Sequence, residues 1–298
     1  GLLPWELFSR DLSPAERAIL LDIRLPRLLL GALVGASLAV SGALMQGLFR
    51  NPLADPGLVG VGAGAGLGAV VAIVLGGLMP AAIHAATGMY LVPLFAFFGG
   101  WATTLILYRV ASLRGQTSIA TMLLAGIVLG ALAGAATGVL VYLADDNQLR
   151  DLTFWGLGSL AGANWTKLAA AAPILIGGLA LSPLLARGLN AMALGEGVAR
   201  HLGVPVEGVK RGAILIVAAM TGASVAVSGG IGFVGIVVPH ILRLAIGPDH
   251  RSLLPTAALF GAALLIAADT VSRLVVSPAE LPIGIIMALI GAPVFLWI

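Results

Sequence analysis

Side chains that could carry out chemistry are scarce in this sequence. Only 10% of its 298 residues are charged and cysteine is absent, which excludes disulfides, thiolate metal sites and cysteine nucleophiles. The histidines are scattered, and no pair has metal-ligand spacing: His84, His201, His240 and His250. The two lysines, Lys167 and Lys210, lie outside any G-x-x-x-x-G-K-S/T motif, so the sequence contains no phosphate-binding loop for ATP hydrolysis. We therefore expect no catalytic site, no metal site and no cofactor bound by this chain.

Asp269 and His84 are the ionisable residues that could take part in transport. Asp269 lies in the apolar run LLIAADTVSRL and could couple an ion gradient, but Arg273 follows at the i,i+4 spacing that favours an intrahelical ion pair. His84 lies in the loop PAAIHAATG, where it could contact a haem or metal cargo, although a solvated histidine is the simpler interpretation. An ion-coupled secondary transporter would have little beyond Asp269 to use. An intramembrane enzyme would have no residue pair with convincing spacing.

The composition predicts that membrane-spanning helices position these residues. Hydrophobic residues make up 59% of the chain, glycine contributes 41 residues, and the mean hydropathy is +1.08. A soluble domain has about 25% charged residues and could not cover so much apolar surface. We predict an all-α, polytopic membrane protein, with one transmembrane domain over 1–298 and a short surface helix near 149–160. The predicted transmembrane helices are about nine, at 27–49, 57–79, 89–108, 118–143, 168–186, 212–228, 231–246, 254–272 and 282–298.

Basic residues indicate the orientation of these spans. Most lie in loops that would share one side, which the positive-inside rule makes cytoplasmic: Arg50, Arg109, Arg114, Arg187, Arg200, Lys210, Arg211, Arg243 and Arg251. The net charge of +3 therefore reflects basic loops and not a nucleic-acid surface. Segment 1–26 is typical of an amphipathic segment at the outer, periplasmic-side interface. Its arginines run against the rule, and a further span upstream of this chain would resolve the conflict.

Two nearly identical segments indicate an inverted repeat. GASLAVSG (35–42) and GASVAVSG (222–229) differ at one position and lie five predicted spans apart, so their helices would point in opposite directions. Each runs into a glycine- and proline-containing interruption, GALMQGLFRNPLADPG and GGIGFVGIVVPHILRL. Interrupted helices at matching positions either line a transport pathway or allow close packing through glycine, and the sequence leaves both interpretations open.

The loop 187–211 is the longest polar segment between spans. It contains ALGEGVARHLG (193–203), which predicts a short helix with a small-residue face, ended by Gly203 with Pro205 behind it. A short helix lying across the cytoplasmic face suits docking into a groove of another protein. An inert surface helix would have the same pattern.

Several long blocks, in order over nearly the whole chain, resemble the FecCD family of permease subunits from bacterial ATP-binding-cassette (ABC) importers of iron–siderophores, haem and cobalamin. The blocks are RLPRLLLGALVGASLAVSGALMQGLFRNPLADPGLVGV, ALGEGVARHLGV, VSGGIGFVGIVVPHILRL, GPDHRSLLP and AELPIGIIMALIGAPVFLWI. The resemblance implies the inverted-repeat, BtuC-like fold of ten spans, of which this chain lacks the first. It also implies a homodimer with the translocation path at its interface, two cytoplasmic ATPases that hold ATP and Mg²⁺, and a periplasmic binding protein that delivers cargo.

The resemblance implies roles for three groups of residues. ATPase coupling would fall on the block at 193–203: Ala193, Leu194, Gly195, Glu196, Ala199, Arg200 and Gly203. Docking of the binding protein would fall on outward-facing arginines that meet its carboxylates: Arg24, Arg27 and Arg273. The inner gate and pathway would fall on GVGAGAG (60–66) and QTSIAT (116–121): Gly62, Ala63, Gly64, Thr117, Ser118 and Thr121. Some relatives have a polar gate residue where this chain has Ala63 or a neighbour, so a polar gate is not expected there.

The segment LADDNQLRDLTFWGLGSLAGANW (143–165) is most similar to the haem-importing branch of the family. Haem is therefore the first expectation for the cargo, a ferric siderophore the second and cobalamin the third. A haem path needs breadth, apolar walls and a few donors, and the Leu-, Ala- and Gly-rich spans are equally compatible with a siderophore. The expected mechanism is alternating access in the inner membrane, driven by the partner ATPases, with no covalent chemistry on this chain.

Overall fold

The computed structural model of the chain describes residues 13–80, 82–83, 87–113, 116–276 and 279–297, and His84 lies outside these ranges. The α-helices are α1 (Pro14–Ala18), α2 (Leu25–Phe49), α3 (Val61–Leu75), α4 (Leu91–Ala111), α5 (Ile119–Leu143), α6 (Asp146–Gly156), α7 (Trp165–Leu181), α8 (Ala186–Ala193), α9 (Glu196–His201), α10 (Val206–Ser228), α11 (Val234–Ile246), α12 (His250–Val275) and α13 (Ile283–Trp297). Tighter turns are formed by Pro56–Val59, Gly76–Leu78, Gly88–Tyr90 and Ser182–Leu185. Strands β1 (Ser112–Leu113) and β2 (Gln116–Thr117) form a small antiparallel hairpin.

Seven helical stretches of the described residues are long and apolar enough to cross a membrane: Pro14–Phe49, Val61–Leu78, Leu91–Ala111, Ile119–Leu143, Trp165–Ala193, Val206–Ser228 and His250–Val275. Helices α11 and α13 are apolar but shorter. Each of the nine predicted spans corresponds to one of these nine elements, so the prediction of an all-α, multi-pass membrane protein is confirmed. The predicted surface helix is α6, which begins slightly earlier than expected because Asp145 and Gln148 form a capping box.

Helix α2 lies at the centre of the protein. Every residue from Val34 to Phe49 is buried, and α7, α10, α11 and α12 pack around it. A helix that is apolar on all sides needs such surroundings. Glycines allow the closest approaches, since a Cβ at Gly35 would lie 2.3 Å from the backbone oxygen of Gly261 and one at Gly42 would overlap Gly235. The bundle therefore depends on small residues at its helix crossings, as is usual in lipid.

The N-terminal segment continues directly into the first span. Pro14–Phe49 is one helical stretch of 36 residues, so the predicted interfacial segment and the predicted span form a continuous helix over the described residues. A span needs about 20 residues, and the interfacial position of the first part of this stretch stays a prediction. The stretch contains a π-helical turn at Ile19–Arg24, just before Pro26, which has no backbone N–H to donate. Trp165 donates its indole N–H to the backbone oxygen of Leu21 at 2.9 Å and so ties this turn to the start of α7.

The two repeat segments lie in the first and the sixth of the nine helical elements, and the helices that contain them, α2 and α10, are in contact. The chain is interrupted after both, as predicted. Arg50 and Gly60 follow α2 with φ of 49° and 71°, and Gly229 and Phe233 follow α10 with φ of 70° and 68°. A positive φ ends a right-handed helix, and it is rare for a bulky residue such as Phe233. Both interruptions therefore have a defined, tightly turned backbone.

Candidate functional site

A short helix, α9, occupies the centre of the predicted coupling block at 193–203. It begins after Gly195, whose φ is 111°, and it ends before Gly203, whose φ is 78°. Residues with a Cβ rarely adopt these angles, although a Cβ at either position would have no contact within 4 Å. The backbone conformation, and not crowding, therefore requires glycine at both ends, and the predicted short helix is confirmed.

One face of this block is apolar and exposed. Leu194, Val198 and Leu202 are 67%, 46% and 63% exposed; Val198 lies within α9, and the two leucines flank it. Ala199 is completely buried and anchors α9 to the bundle. Neighbouring exposed apolar side chains favour contact with another protein. Leu194 was a predicted coupling residue, whereas Val198 and Leu202 were predicted only as part of the short helix.

Lys210 joins α9 to the rest of the protein through a buried ammonium group. Its side chain is 3% exposed, and its Nζ lies 2.8 Å from Glu196 Oε2 and 3.3 Å from Glu207 Oε1. The same Nζ donates to the backbone oxygen of Thr117 at 2.8 Å. An ammonium group has three donors and no acceptor, so these contacts use its full capacity.

Glu207 completes this cluster from the first turn of α10. Its Oε2 accepts the backbone N–H of Thr117 at 2.9 Å, and its Oε1 lies 3.4 Å from Arg200 Nη2. Arg200 also lies 3.8 Å from Glu196, but 49% of its side chain is exposed. Its ion pairs with the two glutamates therefore contribute little stability. These five residues are called the coupling cluster: Thr117, Glu196, Arg200, Glu207 and Lys210.

The coupling cluster unites residues that the sequence assigned to different tasks. Glu196 and Arg200 were predicted to meet an ATPase, and Thr117 was predicted to belong to the gate; the structure brings all three together. Lys210 and Glu207 were not predicted as functional residues. Glu207 lies 90 positions and Lys210 lies 93 positions from Thr117 in the sequence, so no local pattern pointed to these contacts.

Thr117 leads directly into α5 through residues that are also predicted gate residues. In the hairpin it lies opposite Ser112, and the two hydroxyl oxygens are 2.9 Å apart. Ser118 caps α5, because its Oγ accepts the backbone N–H of Thr121 at 3.3 Å and the hydroxyl of Thr121 at 2.9 Å. Thr117 is buried, whereas Ser118 and Thr121 are exposed. Any displacement of Thr117 therefore acts on the N-terminus of α5.

The predicted pathway residues at 60–66 have different environments. A Cβ at Gly62 would have no contact within 4 Å, whereas one at Gly64 would lie 2.1 Å from Thr103 Oγ1. Gly64 therefore allows α3 to pack closely on α4, which is the packing interpretation that the sequence left open. Ala63 is half-buried. Only Gly62 of the three faces open space.

Gly62 lines a cavity of about 190 Å³ at which both helix interruptions meet. Asp55 and Pro56 contribute from the first interruption, and residues 230–233 contribute from the second. Burial raises the pKa of the Asp55 carboxyl above its usual value, while a hydrogen bond of 2.7 Å from the backbone N–H of Gly57 opposes this shift. The meeting of the two interruptions at one cavity favours the pathway interpretation for these segments.

Near the N-terminal end of α2, Arg27 is held by two carboxylates. Its Nη2 lies 2.8 Å from Asp269 Oδ1 and 2.9 Å from Glu280 Oε2, and only 11% of its side chain is exposed. Arg273 Nε lies 3.3 Å from Asp269 Oδ2, so the predicted i,i+4 pair is confirmed. These four residues are called the outer cluster: Arg27, Asp269, Arg273 and Glu280.

The outer cluster changes what these arginines can offer to a binding protein. Arg27 is already engaged within the chain, so it could receive an outside carboxylate only by exchanging Glu280, the more exposed of its two partners. Arg273 remains 35% exposed, and Arg24 is partly exposed at the end of the π-helical turn. The docking prediction therefore depends on exchange for Arg27, whereas Arg273 could use the exposed part of its side chain, and for Arg24 it stays a prediction.

The most exposed span is α5, which the sequence analysis did not recognise as a contact surface. Only 17% of its most apolar stretch is buried, against 78% for the span that contains α2. Gly130, Gly134 and Gly138 recur every four residues, and a Cβ at any of them would have no contact within 4 Å. Small residues at this spacing form helix–helix contact surfaces in lipid, and this one has no partner within the described residues. The regular glycine spacing was the signal in the sequence.

Comparisons with known proteins agree with this architecture. The sequence profile of the FecCD transport family matches residues 3–298. The hemin transport system permease protein HmuU of Yersinia pestis is 48% identical over 292 residues, which cover 98% of this chain and 86% of that protein. The cobalamin import system permease protein BtuC of Halobacterium salinarum is 45% identical over 306 residues, which cover 100% of this chain and 80% of that protein.

Solved structures show the same arrangement of helices. A metal-chelate type ABC transporter in an inward-facing conformation superimposes with a TM-score of 0.87 at 33% identity, covering 99% of this chain and 91% of that one. PsaBC from Streptococcus pneumoniae, at 17% identity and a TM-score of 0.62, shares the fold.

Proposed function

The chain belongs to the FecCD transport family and is a permease subunit of an ABC importer, and we propose that its cargo is haem, carried across the bacterial inner membrane. The observation that carries the mechanism is the coupling cluster, which joins a helix with an exposed apolar face to the start of a span. The permease supplies the path and the coupling, and the ATP and Mg²⁺ are held by partner subunits.

In the proposed cycle, two cytoplasmic ATPases grip α9 of two permease copies. Leu194, Val198 and Leu202 provide the apolar contact, and Glu196 links α9 to Lys210. Closure of the ATPases on ATP would displace α9 and, through the coupling cluster, the segment at Thr117 that begins α5. The spans would then change from an outward-open to an inward-open arrangement, as in alternating access.

The second copy of the chain would cover α5. Its open glycine face would allow a second helix to approach closely, and exposed side chains such as Leu124 and Ile127, at 67% and 65% exposure, would pack against that helix. Two α5 helices facing each other across a homodimer would place the exposed Ser118 and Thr121 at the inner end of a shared path. The cargo would move between the copies and not through one chain.

On the outer face, the binding protein would dock through its carboxylates. Arg273 would receive them on the exposed part of its side chain, Arg27 would do so by exchange with Glu280, and Arg24 is the third predicted contact. Contacts of this kind add modest affinity and mainly favour the correct encounter.

Haem is favoured as cargo by the hemin permease relative, at 48% identity, and by the similarity of segment 143–165 to the haem branch. The cobalamin permease relative at 45% identity makes cobalamin the second candidate, and a ferric siderophore is the third. An ion-coupled secondary transporter is disfavoured, because Asp269 is closed by ion pairs to both Arg27 and Arg273.

The test is uptake into proteoliposomes that contain the permease with its ATPase subunits, with the binding protein added outside. Haem, cobalamin and a ferric siderophore are offered separately, with ATP or with a non-hydrolysable analogue inside. We expect haem uptake that requires both ATP hydrolysis and the binding protein. Uptake of cobalamin or siderophore but not of haem would overturn the assignment of haem as the cargo. Uphill uptake by the permease without the ATPase subunits would overturn the mechanism.

A further inference from the structure

We propose that Lys210 is a positioning residue that transmits movement of α9 to the main chain of Thr117, and so to the gate end of α5. This inference rests on the proposed function, because it gives the path by which the partner ATPase would act on the gate. The route runs through one buried ammonium group and one peptide unit.

The route begins with the division of Lys210's hydrogen bonds among separate elements. Its Nζ meets Glu196 on α9, Glu207 on its own helix and the backbone oxygen of Thr117 at the end of β2. Each contact lies in a different part of the fold, so the ammonium group is the common point of three elements. Its position at 3% exposure keeps water from replacing any one of these partners.

Thr117 is gripped on both sides of its backbone. Lys210 holds its backbone oxygen at 2.8 Å, and Glu207 accepts its backbone N–H at 2.9 Å. Both side chains come from the first two turns of α10, so these two hydrogen bonds, called the clamp, fix the backbone of residue 117 to α10. Ser118 and the start of α5 follow at once, which leaves no flexible linker between the clamp and the gate segment.

Glu196 is the residue of the coupling cluster that would move with the ATPase. It belongs to α9, which carries the exposed apolar face, and it reaches Lys210 across 2.8 Å. Arg200 is a poorer candidate for the link, since it is 49% exposed and lies 3.4 Å or more from either glutamate. A displacement of α9 therefore pulls first on Lys210, and Lys210 alone of the cluster's cations reaches Thr117.

The experiment compares Lys210→Met, Lys210→Arg and Arg211→Met in the complete importer. Arg211 is the matched control, because it is the next basic residue on the same helix turn, and its link to the cluster runs through the hydroxyl groups of Tyr108 and Thr117 and not through the main chain of Thr117. The measurement is haem transported per ATP hydrolysed in proteoliposomes. We expect Lys210→Met to lower this ratio by about tenfold, a size typical of coupling between sites, Lys210→Arg to recover most of it, and Arg211→Met to leave it unchanged.

A second readout does not depend on the cargo. The chain contains no cysteine, so Ala120→Cys places a single thiol on the exposed first turn of α5. We expect its labelling rate to change when ATP binds the complex, and we expect Lys210→Met to abolish this change while Arg211→Met preserves it. A nucleotide response that survives in Lys210→Met would overturn the inference, even if haem proves not to be the cargo.

A double variant separates transmission from a merely structural role. If Glu196 acts through Lys210, then Glu196→Gln combined with Lys210→Met should be no worse than Lys210→Met alone. If the losses of the two single variants multiply in the double variant, Glu196 and Lys210 contribute independently, and the proposed transmission from Glu196 through Lys210, called the relay, would be overturned. If Lys210→Met does not assemble, Glu196→Gln replaces it as the variant that breaks the link, and Lys210→Arg remains the variant that keeps it. Absence of ATP-dependent haem uptake in the unmodified importer would count against the proposed function, while the labelling experiment would still decide the relay.

Discussion

Replacing Glu280 by glutamine should strengthen docking of the periplasmic binding protein on the proposed outer surface. In the structure, Arg27 Nη1 and Nη2 lie 3.0 Å and 2.9 Å from the two Glu280 oxygens, so Glu280 occupies the positions that a carboxylate from the binding protein would take. Glutamine keeps the shape of the side chain and removes its charge. Asp269 remains in place and continues to orient the Arg27 guanidinium at 2.8 Å.

The expected change in Kd follows from the solvent exposure of the ion pair between Arg27 and Glu280. Glu280 is 38% exposed, so its attraction to Arg27 is screened by solvent and is of the surface kind. Such pairs contribute about 0.5–1 kcal/mol, which corresponds to roughly a two- to fivefold lower Kd when the competitor is removed. The gain should shrink as salt is added, because the Debye length is about 10 Å at 0.1 M ionic strength.

The assay is a titration of labelled binding protein against the importer in lipid nanodiscs, at low and at high salt. Asp151→Asn is the matched control, since Asp151 is an exposed carboxylate on α6, on the side predicted to be outer, and its loss changes the net charge equally. A tighter Kd for Glu280→Gln but not for Asp151→Asn supports the exchange. An unchanged or weaker Kd at low salt would show that Glu280 does not compete for Arg27, and the docking role of Arg27 would be withdrawn.

Three further outcomes are expected. Asp269→Asn removes the buried partner of both Arg27 and Arg273, so the purified protein should lose about 3–5 kcal/mol of stability, and an unchanged thermal unfolding midpoint would contradict this. Gly195→Val places a β-branched residue at a φ of 111°, so haem transported per ATP should fall while binding-protein docking persists; unchanged transport would remove α9 from the coupling role. Gly134→Leu should weaken the homodimer in native mass spectrometry without unfolding the protomer, since its Cβ meets open space, whereas Gly35→Leu should prevent folding because its Cβ would lie 2.3 Å from the Gly261 oxygen. An intact dimer in Gly134→Leu would place the second copy on another face.

The parts of the fold that the sequence predicted are those governed by local rules. The spans could be found because lipid requires long, continuous apolar helices, whatever their neighbours are. The C-terminal end of α9 could be found because Gly203 marks a backbone turn in the sequence itself, whereas its start after Gly195 was not predicted. The interruptions after the two repeat segments followed from glycine and proline for the same reason. Charged residues before position 26 predicted an interfacial segment, and only the structure shows that the helix continues through Pro26 after a π-helical turn.

In the candidate site, too, the sequence predicted what depends on local patterns and missed the contacts between distant residues. Residue types and family resemblance identified Glu196, Arg200 and Thr117 separately, and the i,i+4 spacing alone predicted the pair of Asp269 with Arg273. The sequence could not show that Thr117 meets Lys210, 93 positions later, or that Arg27 meets Asp269, 242 positions later. It also could not separate Gly62, which faces a cavity, from Gly64, which faces Thr103.

The sequence by itself determined that this chain is a multi-pass helical membrane protein and where most of its helices lie, because burial in lipid and helix termination act on neighbouring residues. Only the tertiary structure decided which charges are paired, which glycines are covered and which predicted residues act together. Those outcomes depend on how separate helices cross, and the buried charges of Lys210 and Asp269 are completed by partners that the fold brings from distant parts of the sequence, Thr117 and Arg27.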